Sequence, residues 1–545
     1  MQRNSKPIVW RPRGVSDTLD ASQTFIGAMS SLQNLIPDPT TRGLWQCRPA
    51  SIEKTTFSGF MTPGFISRLT VIGSYAYGMI ASARNPGQDE PFVYNLLTNA
   101  FVTISGITAA NTPTSPATTG TWVPPTAALI GAQLIITHPG FNGINGYVGI
   151  LNILNPAAPT WSSGNLGGAG GLSFTVPPSA VSQFNGRAWY IHNLTAQPAV
   201  IFSDSLNPLV ATLGTQVLTF GDTVPLTAFG QLALNNQLGG IIQSLIVFKG
   251  VQNIYQITGD ASTNNLLLNT LNITTGTMAP NTVVNTPKGL AFVSPDGVQQ
   301  IDFFGHVSDP IGIDGQGVTV PFIYTVVPSR MAAACGGNVL RLSVQNGNAA
   351  GSPNQEYWYD FARQIWTGPH TFPMSLLQPY NGTFIGAPIG VTGSLWQSDQ
   401  VQSGTSTYVE NGVQMTWNDV TAYLPDTDKM TNNCVTESLL LVALADLIPN
   451  IIVNAIDENG AVLDTVQITT PTGATIWGAF LWGGALWAGA NQSLSPVQLP
   501  WSIPIVFARI MFQVTGQSAG GLKLGTWSFR YQMLRYITSQ LAATA

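Results

Sequence analysis

The chain has 545 residues, a length that excludes one small core and predicts two or three domains. Only 8% of its residues are charged, against roughly 25% in an ordinary soluble domain, while 44% are hydrophobic. The net charge of −5 excludes the basic surface that a general nucleic-acid reader needs.

Charge is unevenly spread along the chain. No Asp, Glu, Lys or Arg occurs from Pro91 through Gly186, or from Thr465 through Ala508. A monomer that exposed such spans would lack the mixed-sign charges that keep surfaces from associating. We therefore expect extensive protein–protein contact.

Residues 1–55 combine extended and turn signals and are predicted to form an arm or docking segment. They also contain the best helical candidate of the chain, Leu19–Asn34. The densest basic cluster of the chain consists of Arg3, Lys6, Arg11 and Arg13. Two interpretations stand side by side: these residues dock on an acidic partner, or they belong to a solvated arm.

Residues 56–405 are dominated by short β-rich runs with turn residues between them. Several share a hairpin pattern in which an apolar strand ends in Tyr-Asp or Tyr-Asn, turns, and resumes with an aromatic residue, as in FVYNLLTNAFVTI and EYWYDFARQIWTG. Successive hairpins are roughly 40 to 55 residues apart, close to the repeat of propeller blades built from four-stranded sheets. The chain is therefore predicted to be all-β, with a degenerate β-propeller of about six blades. The runs are Leu69–Ala81, Phe92–Ile104, Ala128–Thr137, Tyr147–Leu154, Arg187–His192, Ala199–Ser203, Ile241–Ile257, Gly289–Phe304, Val339–Val344, Gln355–Trp366 and Thr383–Trp396.

Residues 406–545 differ from the preceding region because their strand-like runs are longer. The alternation in KLGTWSFRYQMLRYI is typical of a strand with one buried face. A separate C-terminal β-sandwich domain is predicted. Its runs are Cys434–Ile456, Ala461–Thr469, Val506–Thr515 and Leu522–Ile537.

No enzyme signature stands out. The four histidines are far apart, and neither a His-Glu-x-x-His nor a Gly-x-Ser-x-Gly segment occurs. The three cysteines form no Cys-x-x-Cys pair, so neither a disulfide framework nor a zinc knuckle is indicated. We expect no catalytic residue, no metal and no cofactor. The histidines, each expected in a turn or capping role, are His138, His192, His306 and His370.

An acidic cluster, Asp419, Asp426 and Asp428, lies near the predicted domain junction. Calcium would need more oxygen ligands at a tighter, defined spacing. The cluster is therefore predicted to be a solvated turn.

Three tryptophans, Trp477, Trp482 and Trp487, recur every five residues in IWGAFLWGGALWAG, which matches neither a helical face nor a strand face. A glycine-punctuated loop or hairpin is expected to present them. They either pack inside the sandwich or form an apolar contact surface for a neighbouring subunit or a membrane. The run Ile476–Ala490 is shorter than the roughly 20 residues of a membrane helix, so stable membrane insertion is not expected.

Three segments in order carry a resemblance: GRAWYIHNLTAQPAVIFSDSLNP, SLIVFKGVQNIYQITGD and GTMAPNTVVNTPKGLAFVSPDGVQQI. Together with NLIPDPTTRGLWQCRPA they make the chain resemble the tail nozzle, or tail-hub, proteins of short-tailed bacteriophages over residues 30–400. The matching positions are Gly186 to Trp189, Ser203 and Asp204, Val247 to Lys249, Ile254 to Gly259, Gly276 to Pro280, and Phe292 to Val298.

The resemblance implies a structural protein of the virion tail rather than an enzyme. It implies a homo-oligomeric ring, usually of six copies, below the portal and adaptor, through which the genome leaves the capsid. The partners it implies are further copies of the chain, the adaptor or head–tail connector, and tail fibres or a tail plug. Genomic DNA would pass without specific binding.

Low charge agrees with such a conduit on one point. Each Lys or Arg that neutralises a phosphate adds attraction through counterion release, and the chain has few cations. A near-neutral or mildly acidic lumen is therefore expected, in which the duplex slides. A basic lumen would contradict this expectation.

Two other classes of protein remain open. The first is a propeller glycosidase or glycan-binding protein at the bacterial surface, for which two carboxylates would converge in a central pocket. The second is a capsid or tail-surface protein that binds a receptor through the tryptophan segment.

Overall fold

A computed structural model describes most of the chain. The described residues are 6–10, 12–16, 28–41, 43–57, 66–82, 84–115, 123–168, 171–194, 197–235, 240–262, 265–312, 328–344, 355–388, 393–398, 408–424, 434–444, 451–468, 495–518 and 523–533.

The described residues contain β-strands and two short 3-10 helices, Pro280–Thr282 and Pro328–Arg330, and no α-helix. The first twenty strands are β1 (Lys6–Trp10), β2 (Met29–Gln33), β3 (Leu35–Pro37), β4 (Trp45–Cys47), β5 (Ile52–Thr56), β6 (Ile66–Ile72), β7 (Tyr75–Ala81), β8 (Asp89–Asn95), β9 (Ala100–Val102), β10 (Thr126–Ile130), β11 (Gln133–Thr137), β12 (Val148–Asn152), β13 (Thr160–Gly164), β14 (Ala180–Phe184), β15 (Arg187–Asn193), β16 (Pro198–Phe202), β17 (Val217–Thr219), β18 (Leu226–Asn235), β19 (Ile241–Lys249) and β20 (Asn253–Asp260).

The remaining strands are β21 (Asn265–Asn272), β22 (Val284–Thr286), β23 (Gly289–Ser294), β24 (Gly297–Ile301), β25 (Ala332–Gly336), β26 (Val339–Val344), β27 (Gln355–Asp360), β28 (Ile365–His370), β29 (Met374–Tyr380), β30 (Thr383–Pro388), β31 (Ser394–Gln397), β32 (Val409–Glu410), β33 (Val413–Gln414), β34 (Thr416–Thr421), β35 (Cys434–Leu444), β36 (Ile451–Asp457), β37 (Val462–Ile468), β38 (Ser495–Phe507), β39 (Ile510–Gln517) and β40 (Lys523–Met533).

The chain divides into two compact units. One, the propeller unit, comprises Ser51–Gln364 and Phe372–Asp399. The other, the sandwich unit, comprises Met1–Ala50, Ile365–Thr371 and Gln400–Ala545.

The propeller unit is a closed ring of antiparallel sheets. In chain order the sheets are β6–β9, β10–β13, β14–β17, β18–β21, β22–β24, β25–β27, and β29–β31 with β5. The first strands contact one another in succession, and β29 contacts β6, so the ring closes. The predicted all-β propeller is confirmed, with seven sheets in the described ring, five of them four-stranded.

The last sheet of the ring is completed by a strand from the other end of the unit. Strand β5 pairs antiparallel with β31, where Thr56 lies opposite Ser394 and Ile52 opposite Gln397. This pairing covers the edge of β31 that would otherwise be open to other chains.

Asn-Gly turns join several neighbouring strands. Asn185 and Gly186, between β14 and β15, have φ values of 50° and 69°. Asn381 and Gly382, between β29 and β30, have φ values of 45° and 77°. A two-residue hairpin loop of type I′ needs positive φ at both positions, and Asn-Gly meets this need with the least strain.

The core of the propeller lies between adjacent sheets. Strand β16 is buried along its whole length, as are the five central residues of β15. Trp189 is fully buried and stacks on Phe202 with ring centroids 4.5 Å apart. Strands covered on both faces are continuous apolar runs, which is why so much of this unit lacks charge.

The described part of the sandwich unit forms two large β-sheets, besides the short two-stranded sheet β32-β33. One has the order β3-β4-β40-β35-β38, with β1 also paired to β40. The other contains, in order, β28-β2-β34-β39-β36-β37. Phe512 of β39 and Phe529 of β40 pack edge to face with centroids 5.0 Å apart, so an aromatic core joins the sheets. The two large sheets form a β-sandwich to which β1 to β4 of the amino-terminal region also belong, and the predicted domain bounds 1–55 and 406–545 stay predictions.

The helix expected at Leu19–Asn34 is wrong for the residues that the structure describes. Met29–Gln33 is strand β2, which pairs with β34 and buries Met29 and Leu32 completely. Pairing with a strand nearly 400 residues away overrides the local helical pattern.

Candidate functional site

The propeller unit has a partly open cavity of about 370 Å³ on the axis of the ring. All seven first strands contribute to its walls. We call this space the axial cavity. Its position follows from the fold, because sheets packed radially leave their first strands around a common centre.

The walls of the axial cavity carry apolar, hydroxyl and amide side chains and one ionisable side chain. That side chain is Arg68 of β6; no Asp, Glu or His lies among the described lining residues. Glycoside hydrolysis needs two carboxyl groups about 5 to 9.5 Å apart. The described lining does not supply this pair, and the prediction that the chain is not an enzyme stays a prediction.

A buried Ser–His–Asp cluster joins the first two sheets. Ser67 donates to Asp89 Oδ2 at 2.5 Å, and His138 Nε2 lies 3.0 Å from the same oxygen. His138 Nδ1 accepts the backbone N–H of Gly140 at 3.0 Å, so in the neutral ring Nε2 holds the proton and donates it to Asp89.

This cluster differs from a catalytic triad in its pattern of hydrogen bonds. In a triad the histidine stands between serine and aspartate and accepts the serine proton. Here both Ser67 and His138 donate directly to Asp89, and all three side chains are buried. The geometry supports a structural role, in which the cluster links the first two sheets of the propeller unit. Sequence reasoning missed it because its members belong to separate strands and turns with no shared motif.

A second buried cluster centres on Glu356 of β27. Arg341 Nε and Nη2 lie 2.6 and 2.5 Å from Glu356 Oε1, and the indole N–H of Trp358 donates to the same oxygen at 2.6 Å. The guanidinium also lies over the Trp358 ring, 4.4 Å from its centroid. Charge and donors are matched, so this group fixes the packing of the sheet.

The sandwich unit has its own buried ion pair. Arg48 reaches both carboxylate oxygens of Glu410, with Nη2–Oε2 at 2.7 Å and Nη1–Oε1 at 3.1 Å. Arg48 Nε donates to Asn34 Oδ1 at 2.9 Å. This bidentate ion pair links the segment that contains Arg48 to the segment that contains Glu410.

The predicted solvated turn at Asp419 is wrong for that residue. Asp419 lies in β34 with 1% of its surface exposed, and no hydrogen bond from the described residues reaches either carboxyl oxygen. Burial raises the pKa of Asp419 to about 8. Alternation along β34 places Asp419 on the same inward face as Trp417. Asp426 and Asp428 lie outside the described residues.

The residues predicted to contact partners are only partly described. Lys6 belongs to β1 and lies opposite Tyr531 of β40 in the backbone pairing, and Arg13 is exposed. The role of these residues in docking stays a prediction. The others lie outside the described part of the chain: Arg3, Arg11, Trp477, Trp482 and Trp487.

An exposed apolar edge is the most unusual surface of the propeller unit. Strand β21 pairs only with β20 among the described strands and is the outer strand of its sheet. It is eight residues long, whereas β9 and β17, the outer strands of two preceding sheets, have three each. Its sequence NLLLNTLN has no charge and no proline, with Leu267 and Leu268 exposed by 58% and 42%.

The described residues contain no group of three or more His, Cys, Asp or Glu side chains able to hold a metal. No described helix is long and apolar enough to cross a membrane.

No protein-family model and no curated protein matches this chain. Solved structures with a similar fold include BBS1N in complex with ARL6DN (12% identity, TM-score 0.36, covering 66% of this chain and 99% of that one). They also include puromycin hydrolase (9%, 0.38, covering 68% and 61%). A third is the glycoside hydrolase family 43 arabinoxylan arabinofuranohydrolase from Bacillus subtilis (11%, 0.25, covering 85% and 94%). At these scores the similarities say nothing about activity.

Proposed function

We propose that the chain is a non-catalytic structural subunit that assembles with copies of itself into a ring. In this proposal it acts as the tail nozzle of a short-tailed phage virion, below the portal and adaptor. The single observation that supports self-association best is the uncharged, apolar edge strand β21. The sequence resemblance supplies the virion context.

The exposed edge of strand β21 is open to pairing with a second chain. Natural sheets protect their edges with short strands, charges, proline or a covering segment. Strand β21 has none of these protections among the described residues. A second chain that pairs with it would satisfy its free backbone groups and cover Leu267 and Leu268.

The second chain in this proposal is another copy of the same chain. Strand β21 carries no charge that would select a charged partner. An uncharged surface on a second copy would meet no electrostatic repulsion there. The same chain offers such a surface in its charge-free span Pro91–Gly186, where Leu97, Ile144 and Leu154 are exposed. An edge on one copy against a different face of the next makes a head-to-tail contact, which closes into a ring when the rotation fits.

The low charge of the chain suits a ring through which DNA passes. A conduit should attract DNA weakly, and each cation that contacts a phosphate strengthens binding. Only 20 Lys and Arg serve 545 residues, and 25 acidic residues offset them. Such a ring passes the duplex without holding it.

Electron microscopy of the purified chain, alone and together with virions, tests this function. We expect rings of about six copies and density for the same ring at the virion tail. A chain that stays monomeric at high concentration in sedimentation and is absent from virions would overturn the proposal.

The edge strand can be tested separately. The double variant Leu267→Lys/Leu268→Lys should convert rings to monomers, because two lysines on an open edge oppose pairing with a neighbouring strand. Sedimentation velocity measures the shift, and circular dichroism checks that the fold is kept. Leu206→Lys, at another exposed leucine outside any sheet edge, is the matched control and should leave rings intact. Intact rings in the double variant would exclude β21 from the contact.

The glycosidase alternative has no support from the axial cavity, whose described lining residues include no Asp or Glu.

A further inference from the structure

We propose that the axial cavity is a binding site for a small oxyanion, a carboxylate or a phosphate ester, held by Arg68. This site is independent of ring assembly, since every residue that lines the cavity belongs to the propeller unit of one chain.

The first support is the hydrogen bonding of Arg68, which has only neutral acceptors. Nε donates to Thr70 Oγ1 at 3.2 Å, and Nη1 lies 3.4 Å from Pro125 O and 3.5 Å from Asn281 Oδ1. Nη2 donates to none of the described residues. No described carboxylate lies within ion-pair distance of this guanidinium, although an arginine fork suits a carboxylate or a phosphate.

The second support is a comparison with other arginines of the chain. Arg48 and Arg341 are fully buried, and each has a carboxylate, at 2.7 and 2.5 Å respectively. Arg68 is partly buried at the cavity wall and has no such counter-charge among the described residues. Burial lowers the pKa of its guanidinium to about 10, so the group is still a cation at neutral pH. A cation that is partly removed from water without a charged partner disfavours the folded state, and an anionic ligand would offset that effect.

The third support is the rest of the lining. Asn285 and Gln378 line the same cavity, and their side-chain amides make no hydrogen bond to the described residues. The side-chain N–H groups of Asn281, whose Oδ1 faces Arg68, are also uncommitted there. These amides can donate to further oxygens of a bound anion.

The size of the cavity limits the ligand. A volume of about 370 Å³ lies at the lower end of the roughly 300 to 1,000 Å³ range of small-molecule pockets. It accommodates a small organic acid or a sugar phosphate. The one cation predicts a ligand with a single anionic group and an otherwise polar body.

Isothermal titration calorimetry on the full chain at low salt tests the site. The probes are inorganic phosphate, glucose 6-phosphate, acetate and uncharged glucose. We expect at least one anion to bind and glucose not to bind. Tighter binding of either phosphate probe than of acetate would assign the phosphate class, and the reverse order the carboxylate class. Absence of heat from all three anions at millimolar concentration would overturn the proposal.

Variants locate the binding. Arg68→Gln should weaken the Kd of the best probe at least tenfold, and Arg68→Lys less. Lys288→Gln removes an exposed cation that does not line the cavity and should leave the Kd unchanged. Asn285→Ala, on an exposed strand position, should weaken binding severalfold and keeps the test decisive if the Arg68 variants misfold. An unchanged Kd in Arg68→Gln, or in Asn285→Ala if that variant alone folds, would refute the site.

Discussion

The variant Asp419→Asn should be more stable than the natural chain at neutral pH, by up to roughly 4 kcal/mol at about 1.36 kcal/mol per pH unit. The Asp419 carboxyl is buried in β34 without a hydrogen bond from the described residues, and its pKa in the folded state is about 8 against an ordinary value of 3.8. The folded chain must therefore retain a proton that the unfolded chain releases at pH 7. Asparagine has no such proton to retain.

The pH dependence gives the sign of this effect. Because the folded pKa is raised, the contribution of Asp419 to stability is fully present below pH 3.8 and is lost as the pH rises towards about 8. Urea denaturation at pH 5 and pH 8, followed by tryptophan fluorescence, should show a smaller loss for Asp419→Asn than for the natural chain. Glu458→Gln, at an exposed turn of the same unit, serves as control and should keep the natural slope. The same slope in Asp419→Asn would mean that the carboxyl is ionised in the fold.

Replacing Glu356 by leucine should destabilise the propeller unit by about 3 to 5 kcal/mol. The substitution leaves Arg341, which is fully buried, without the carboxylate that lies 2.5 Å from its Nη2. It also removes the acceptor of the Trp358 indole N–H. The midpoint of the propeller transition in urea measures the loss.

The double variant Glu356→Leu/Arg341→Met separates charge from packing. Replacing both partners by apolar side chains removes the uncompensated charge, so most of the lost stability should return. Arg363→Ala, which breaks the more exposed pair with Asp360, should lower stability by less than about 1 kcal/mol and is the control for a surface pair. Equal losses in the single and double variants would show that shape, not charge, makes Glu356 important.

The all-β class and the propeller follow from features that are local in the sequence. Asn185-Gly186 between two apolar runs is a hairpin signal that needs no information from the rest of the chain. Continuous apolar runs such as Pro198–Phe202 predict strands covered on both faces, and β16 is one. Local patterns of this kind repeat from blade to blade, which is why the architecture could be predicted.

Other features depend on partners far along the chain. Strand β2 exists because of β34, and no local pattern near Met29 announces that pairing. Asp419 illustrates a signal that was present but outweighed, because alternation in TWNDVT places it on the face of Trp417 while nearby acidic residues suggest a turn. Arg68 carries no motif. Only the closure of the ring shows that its strand faces the axis.

Strand β5 is synthesised long before β31, the strand with which it pairs. Its partner β31 ends at Gln397, so Ile52 leaves the ribosome tens of seconds before the segment that will cover it, at roughly 5 to 20 residues per second. Until then the nascent chain holds an incomplete ring of sheets, and β5 has no partner strand. Chaperone demand should therefore peak late in translation and end when the first and last segments of the ring are joined.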